Sequence, residues 1–182
     1  MVTMFTTALV GFFVFSSFGM PPQTIGQSPP VPTYTVAMTG YNAVPEQTDS
    51  DPRTTASGAF SDPDIVAARS VDLADELPFG TVIEIVPKSS SPSCGLPVVK
   101  DMLGLRVIAD SMHPRKRNQI DVLLDREKTV HIGNKTINPA IALGMCQDVE
   151  VHVVGFIDIA HVPHTQAELR AALSPSTLAL EK

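Results

Sequence analysis

Residues 105–124 have the sequence LRVIADSMHPRKRNQIDVLL, in which a polar, basic segment separates two apolar runs. The runs at residues 105–109 and 120–124 are short and rich in Val, Ile and Leu, which is typical of β-strands. Asp110 directly follows the first run, and Asp121 lies near the start of the second. Both carboxylates therefore border one loop, and loop rims on a rigid scaffold often carry catalytic groups. Taken alone, each aspartate also fits an ordinary role as a turn or strand-edge residue.

The rest of the chain contains four more short apolar segments of this kind, separated by turn-forming residues. Strands at such short intervals predict a mainly β protein with a closed or nearly closed sheet. The six predicted strands are Tyr34–Met38, Ile65–Arg69, Thr81–Val86, Leu105–Ala109, Ile120–Leu124 and Val149–Phe156.

Two short helices are also predicted. Asn138 is a suitable N-cap, Pro139 fits the first helical position, and Gly144 fits the position just past the end. The segment from Thr165 to Glu168 has the pattern of a capping box, which predicts a helix that continues to about Leu173.

Length and charge limit the possible classes of protein. A chain of 182 residues fits one domain with short extensions. A net charge of -6 and a pI near 5.2 argue against a nucleic-acid partner, because such proteins normally present a basic face. The basic cluster at residues 115–117 is too short to change this conclusion. We expect a monomer without a nucleic-acid partner.

The N-terminal residues predict export. Residues 1–20 contain no charged side chain, and residues 8–15 are apolar, so this segment is either a signal peptide or an uncleaved membrane anchor. Residues 21–33 are rich in proline and predict an extended spacer. We expect an envelope protein, periplasmic or extracellular, that contacts the membrane only through this segment. The folded domain should span residues 34–158, followed by a helical tail at residues 159–182.

The two cysteines, Cys94 and Cys146, suit an exported protein in which one disulfide forms, although two independent thiols fit the sequence equally well. Neither cysteine has the neighbouring histidine base that a catalytic thiol needs. The pair His161 and His164 has no nearby cysteine, and a proline lies between them, which argues against zinc. We expect no cofactor and no metal.

Several motifs occur in an order that resembles the three-aspartate domain family. This family is related to the barrel of the membrane-bound lytic transglycosylase A enzymes and to stationary-phase muralytic proteins. The resemblance covers about Thr35 to Gly155. It implies a six-stranded double-psi β-barrel with one or two short helices that cleaves the glycan strands of peptidoglycan. The motifs are Thr39-Gly-Tyr41, Gln47-Thr-Asp49, Thr55-Ala-Ser-Gly58, Ile65-Val-Ala-Ala68, Leu77-Pro-Phe-Gly-Thr81, Val107-Ile-Ala-Asp110 and Asn118-Gln-Ile-Asp121.

The resemblance also implies roles for individual residues. Asp121 matches the acid/base, and Asp110 matches the neighbour that, together with partial burial, raises the pKa of Asp121. Asp72 matches the first aspartate of the family, with Asp75 as its rival. The implied substrate contacts are Tyr41, Thr55, Ser57, Gly58, His113 and Asn118.

This chain departs from the family at two places. Residues 111–117, SMHPRKR, replace a glycine-rich segment, and residues 88–101 are an insertion.

The expected activity is that of a lytic transglycosylase. A non-catalytic barrel that binds cell-wall glycan, and a hydrolase that uses water as the nucleophile, are the alternatives.

Overall fold

A computed structural model describes residues 31–48, 50–86 and 94–173. The predicted signal or anchor, most of the spacer, Asp49 and the last nine residues of the tail lie outside these ranges. None of the helices in the described ranges is long and apolar enough to cross a membrane. The strands are β1 Thr33–Tyr41, β2 Val66–Arg69, β3 Thr81–Val86, β4 Leu105–Ser111, β5 Gln119–Leu123, β6 Val130–Ile132, β7 Lys135–Ile137 and β8 Cys146–Phe156. The helices are α1 Leu96–Val99, α2 Pro139–Leu143 and α3 Gln166–Ala172.

Six strands close into a barrel in the order β1-β5-β2-β4-β3-β8. The neighbours β1 and β5 are parallel, as are β2 and β4, whereas the other neighbours are antiparallel. The connection from β1 to β2 passes over β5, and the connection from β4 to β5 passes over β2. These two interleaved connections give the double-psi arrangement, so the predicted mainly β, six-stranded double-psi barrel is confirmed.

All six predicted strands are present, and three of them are longer than predicted. β1 continues to Tyr41, β4 continues to Ser111 and β8 begins at Cys146. The hairpin formed by β6 and β7 was not predicted, although a Gly133-Asn134 pair between its strands is a recognised turn signal. Gly133 has a φ of 59°, the left-handed conformation that such turns require.

Buried side chains on both faces of the strands explain the continuous apolar runs in the sequence. In β4, Ile108 belongs to one buried cluster, whereas its neighbours Val107 and Ala109 belong to another. Successive side chains of a strand point to opposite faces, so a strand covered on both sides has to be apolar at every position.

A disulfide joins Cys94, just before α1, to Cys146, the first residue of β8, with an S–S distance of 1.98 Å. Of the two alternatives left by the sequence, the bonded one is therefore present. Gly95 allows α1 to approach α2 closely, because a Cβ atom there would overlap the carbonyl oxygen of Ala142. The predicted Asn138 cap is confirmed, since its side chain accepts a hydrogen bond from the backbone N–H of Ala140.

The helix α3 packs firmly on the barrel. Its predicted capping box is confirmed, with both reciprocal hydrogen bonds between Thr165 and Glu168. Leu169 is fully buried, and the side chain of Gln166 accepts from the N–H of Leu105 and donates to its carbonyl. These contacts fix the segment that leads from β8 to α3 against the body of the protein.

Candidate active site

The two aspartates face the same side of the barrel because both are partners of one residue. Ala68 in β2 pairs with Asp110 of β4 on one side and with Asp121 of β5 on the other. Residues directly opposite each other on neighbouring strands share a face. Two strand spacings separate the aspartates, so their Cα atoms are about 10 Å apart. The small side chain of Ala68 leaves the space between the two carboxylates open.

A one-residue bulge in β4 aims Asp110 at this face. The register between β2 and β4 shifts so that Ala67 pairs with Ile108 and Ala68 pairs with Asp110, which leaves Ala109 as the extra residue. Because side chains alternate along a strand, an unshifted register would have turned the carboxylate of Asp110 to the opposite face. The bulge is therefore needed to bring the pair together.

Asp110 is held by three hydrogen bonds. One carboxylate oxygen accepts from the backbone N–H groups of Ala56 at 2.9 Å and Ser111 at 2.8 Å. The other accepts from the hydroxyl of Tyr41 at 2.9 Å. Burial and the nearby charge of Asp110 raise the pKa of Tyr41 far above its usual value, so the phenol keeps its proton and remains a donor. An ionised carboxylate can only accept hydrogen bonds, and this set of donors matches that form.

Asp121 has a different environment. Its Oδ1 is buried and has no hydrogen-bond partner among the described residues. Thr39 pairs with Asp121 across β1 and β5, and hydrogen bonding from its hydroxyl lowers the pKa of the Asp121 carboxyl group. The same hydroxyl accepts a hydrogen bond of 2.8 Å from the side-chain amide of Gln119, which leaves its own proton available for Asp121.

The pKa of Asp121 is raised from 3.8 to about 6, and burial is the main cause. The negative charge of Asp110 also raises this pKa, whereas the hydrogen bond from Thr39 and the positive charge of Lys116 lower it. Burial is the largest of these effects and Asp110 the smallest, so removal from water does more than the neighbouring carboxylate to keep Asp121 protonated. A carboxylic acid that retains its proton near pH 6 is suited to general acid catalysis.

Both carboxylates line a cleft of about 430 Å³. Tyr41 and Ala68 form part of its wall, and His113 and Lys116 bring the basic loop at residues 111–117 to its rim. The basic loop thus places a positive charge beside the two acids. A substrate entering this cleft would meet Lys116 as well as the aspartates.

The predicted contacts at residues 55–58 separate into two groups. Thr55 is buried, and its hydroxyl forms hydrogen bonds with the side chain of Ser57 and the carbonyl of Ala59. Thr55 therefore stabilises the turn through contacts inside it. Ser57 and Gly58 line a second cleft on the far side of the turn. Tyr41 and His113 are the predicted substrate contacts that share the cleft with the aspartate pair.

Asp72 lies outside the cleft, on the surface. Its carboxylate accepts a hydrogen bond of 2.9 Å from the backbone N–H of Asn118, at the end of the basic loop. Asn118 has a φ of 46°, and its side chain donates to the carbonyl of Thr35 rather than entering the cleft. Asp75 is also exposed and does not line the cleft. A catalytic role for Asp72 or Asp75 stays a prediction, and the observed contact of Asp72 is with the loop backbone.

Sequence reasoning missed the groups that surround the pair. Thr39 and Gln119 were visible only as parts of motifs, Lys116 only as part of a basic cluster, and Ala68 only as a strand residue. Their roles depend on pairing across strands that are distant in sequence, and no local pattern carries that information. Among the described residues, no group of three or more His, Cys, Asp or Glu side chains is arranged to hold a metal ion.

Comparison of the chain with models of known protein families finds no match, and comparison with curated proteins finds none either.

Proposed function

We propose that the protein is an exported lytic transglycosylase that cleaves peptidoglycan glycan strands and leaves a 1,6-anhydro product. The observation that carries this proposal is the pair of carboxylates in one cleft. Of the two, Asp121 has a pKa of about 6 and an oxygen that finds no hydrogen-bond partner in the described part of the chain. The resemblance to the three-aspartate family supports the choice of substrate, and the apolar N-terminal segment supports export to the cell envelope.

Asp121 supplies the acid and then the base. Its carboxylic acid donates a proton to the glycosidic oxygen between N-acetylmuramic acid and N-acetylglucosamine, and the bond from C1 to that oxygen breaks. The resulting carboxylate takes the proton of the muramic acid 6-hydroxyl while that oxygen forms a bond to C1. One proton leaves Asp121 and one returns, so the residue ends as it began and no water is consumed.

Asp110 supplies negative charge next to the reacting carbon. Cleavage of a glycosidic bond passes through a transition state with positive character at C1. A carboxylate that is already oriented by its hydrogen bonds stabilises that charge without rearranging.

The hydrogen bonds of Asp110 favour a lyase over a hydrolase. A retaining hydrolase uses its second carboxylate as a nucleophile, and an inverting one uses it to activate water. Both oxygens of Asp110 accept hydrogen bonds, from Tyr41, Ala56 and Ser111, and these donors stabilise its charge and so make it a weaker nucleophile and base. Attack by the substrate's own 6-hydroxyl requires no such group, which makes the single acid/base of Asp121 sufficient.

The test is product analysis with the purified full-length chain and peptidoglycan sacculi. The expected products are anhydromuropeptides, which mass spectrometry separates from hydrolysed products because they are lighter by one water. Asp121→Asn should lower the rate by at least about 100-fold, in line with the usual contribution of a general acid. Asp148→Asn is the matched control, since it removes the same charge from an exposed residue whose φ of 53° asparagine tolerates.

Three results would contradict the proposal. Equal activity of Asp121→Asn and the parent protein would remove the acid/base assignment. Products that have gained water would indicate a hydrolase. Binding of sacculi by both proteins without any product would favour a glycan-binding barrel that has no catalytic activity.

A further inference from the structure

A second cleft, of about 400 Å³, lies beside the one that holds the aspartates. Its two sides come from distant parts of the chain. One side is formed by residues 57–60 and the other by residues 159–164. The first side belongs to the turn that supports the candidate active site, so the two clefts are neighbours across a single turn.

The turn at residues 54–60 presents a different face to each cleft. Thr54 and Ala56 line the cleft that contains the aspartates, whereas Ser57, Gly58 and Phe60 line the second. A molecule longer than either cleft would pass over this turn to occupy both.

Both clefts are fixed to the same strand. The N–H of Ser57 donates to the carbonyl of Ala109 at 3.1 Å, and the N–H of Ala56 donates to the carboxylate of Asp110 at 2.9 Å. These two hydrogen bonds anchor opposite faces of the turn to consecutive residues of β4. The distance from the aspartates to the second cleft is therefore set by the strand rather than by a free loop.

The opposite wall is also firmly held. The N–H of Ile157 donates to the carbonyl of Gly80 at 2.9 Å, and Asp158 caps the short helical turn that follows β8 through the N–H of Ala160. Beyond the wall, Leu169 is fully buried against the barrel. The cleft is thus formed before any ligand arrives, which reduces the entropy lost on binding.

The side chains in this cleft suit a sugar ring. Phe60 is 54% exposed, and its ring and the ring of His164 make an edge-to-face contact at a centroid distance of 6.1 Å. Asp62 lies 3.3 Å from the same histidine and adds a hydrogen-bonding group. A pyranose has an apolar face of C–H groups and a rim of hydroxyls, so an exposed aromatic ring beside polar side chains matches both parts.

We propose that the second cleft binds the sugar units of the glycan strand that adjoin those in the aspartate cleft, with Phe60 as the stacking residue. This inference rests on the proposed function, because it needs a polymeric glycan substrate. The inference predicts that the protein cleaves long glycan strands more efficiently than short fragments.

The experiment compares two substrates and two variants of the full-length chain. The substrates are purified peptidoglycan glycan strands and a tetrasaccharide of the same repeat. The variants are Phe60→Ala and Phe156→Ala, and the second is a matched control because Phe156 is 55% exposed and does not line the cleft. Phe60→Ala should lower the ratio of kcat/KM for long strands to kcat/KM for the tetrasaccharide by about five- to tenfold. Phe156→Ala should leave this ratio unchanged.

An equal ratio in Phe60→Ala and Phe156→Ala would overturn the inference, as would a loss in Phe60→Ala that is the same for both substrates. Failure of the proposed function gives a different result, since the parent protein would then release no product from either substrate. In that case, the affinity for long strands is compared between Asp121→Asn and the double variant that also carries Phe60→Ala. Weaker binding by the double variant supports the second cleft, and equal binding rejects it.

Discussion

Replacing Asp121 with asparagine should stabilise the folded protein at alkaline pH. Burial raises the pKa of Asp121 from 3.8 to about 6, so the folded protein binds this proton more tightly than the unfolded chain does. Well below pH 4 the carboxyl group is protonated in both states, and no charge has to be buried. Between about pH 4 and pH 6 the unfolded chain releases this proton while the folded protein retains it, so stability falls, and above pH 6 the folded protein carries the buried charge. The difference between pKa values of 3.8 and about 6 corresponds to about 3 kcal/mol above pH 7.

Urea unfolding with the disulfide intact measures this effect. The asparagine side chain has nearly the same shape as that of aspartate but does not ionise. The substitution therefore removes the pH-dependent free-energy cost of burying a charge at this position. The difference in unfolding free energy between Asp121→Asn and the parent should grow by about 2.5 kcal/mol between about pH 4 and pH 8. With a typical dependence on urea, this growth moves the midpoint by about 1 M or more. Any constant difference in packing cancels, because the prediction concerns the change with pH.

The control is again Asp148→Asn, which shows how removal of one exposed negative charge affects stability over the same pH range. A difference between Asp121→Asn and the parent that stays flat from about pH 4 to pH 8 would refute the reasoning. Such a result would mean that the ionised carboxylate of Asp121 keeps its hydration in the folded protein. The same result would weaken its assignment as the acid.

Two further predictions concern the basic loop and the disulfide. Lys116→Met should move the alkaline limb of the pH–activity profile to higher pH, because Lys116 lowers the pKa of Asp121 and the acid has to be protonated to act. Arg115→Met, in the same loop but outside the cleft lining, is its control, and a shift to lower pH would contradict the prediction. Replacing both Cys94 and Cys146 with serine should lower the free energy of unfolding by about 4 kcal/mol, since the bond closes a loop with a sequence separation of 52 residues. Urea unfolding checks this, and a loss below about 1 kcal/mol would show that the bond adds little to stability.

The barrel could be predicted from sequence because its strands are short apolar runs with clear turn residues between them. The helix caps at Asn138 and Thr165 were equally visible, since capping depends on side chains within a few residues of one another. The hairpin of β6 and β7 was missed because its strands have only three residues each, although Gly133-Asn134 was a usable signal.

The site was only partly predictable. The resemblance indicated Asp110 and Asp121, but their convergence depends on Ala68 and on the bulge at Ala109, which are matters of register between distant strands. The second cleft combines residues that are about 100 positions apart, such as Asp62 and His164. The contact between Asp72 and the backbone of Asn118 likewise has no local signature in the sequence.

The bulge in β4 separates the position of Asp110 along the chain from its position in the barrel. In a regular ladder the residue directly after Ile108 would lie opposite Ala68, but the bulge takes up Ala109, and Asp110 lies there instead. A relative without the extra residue could therefore place an aspartate on the same face directly after its counterpart of Ile108. Relatives of this protein are better compared by the residue that pairs with Ala68 than by the spacing of aspartates along the sequence.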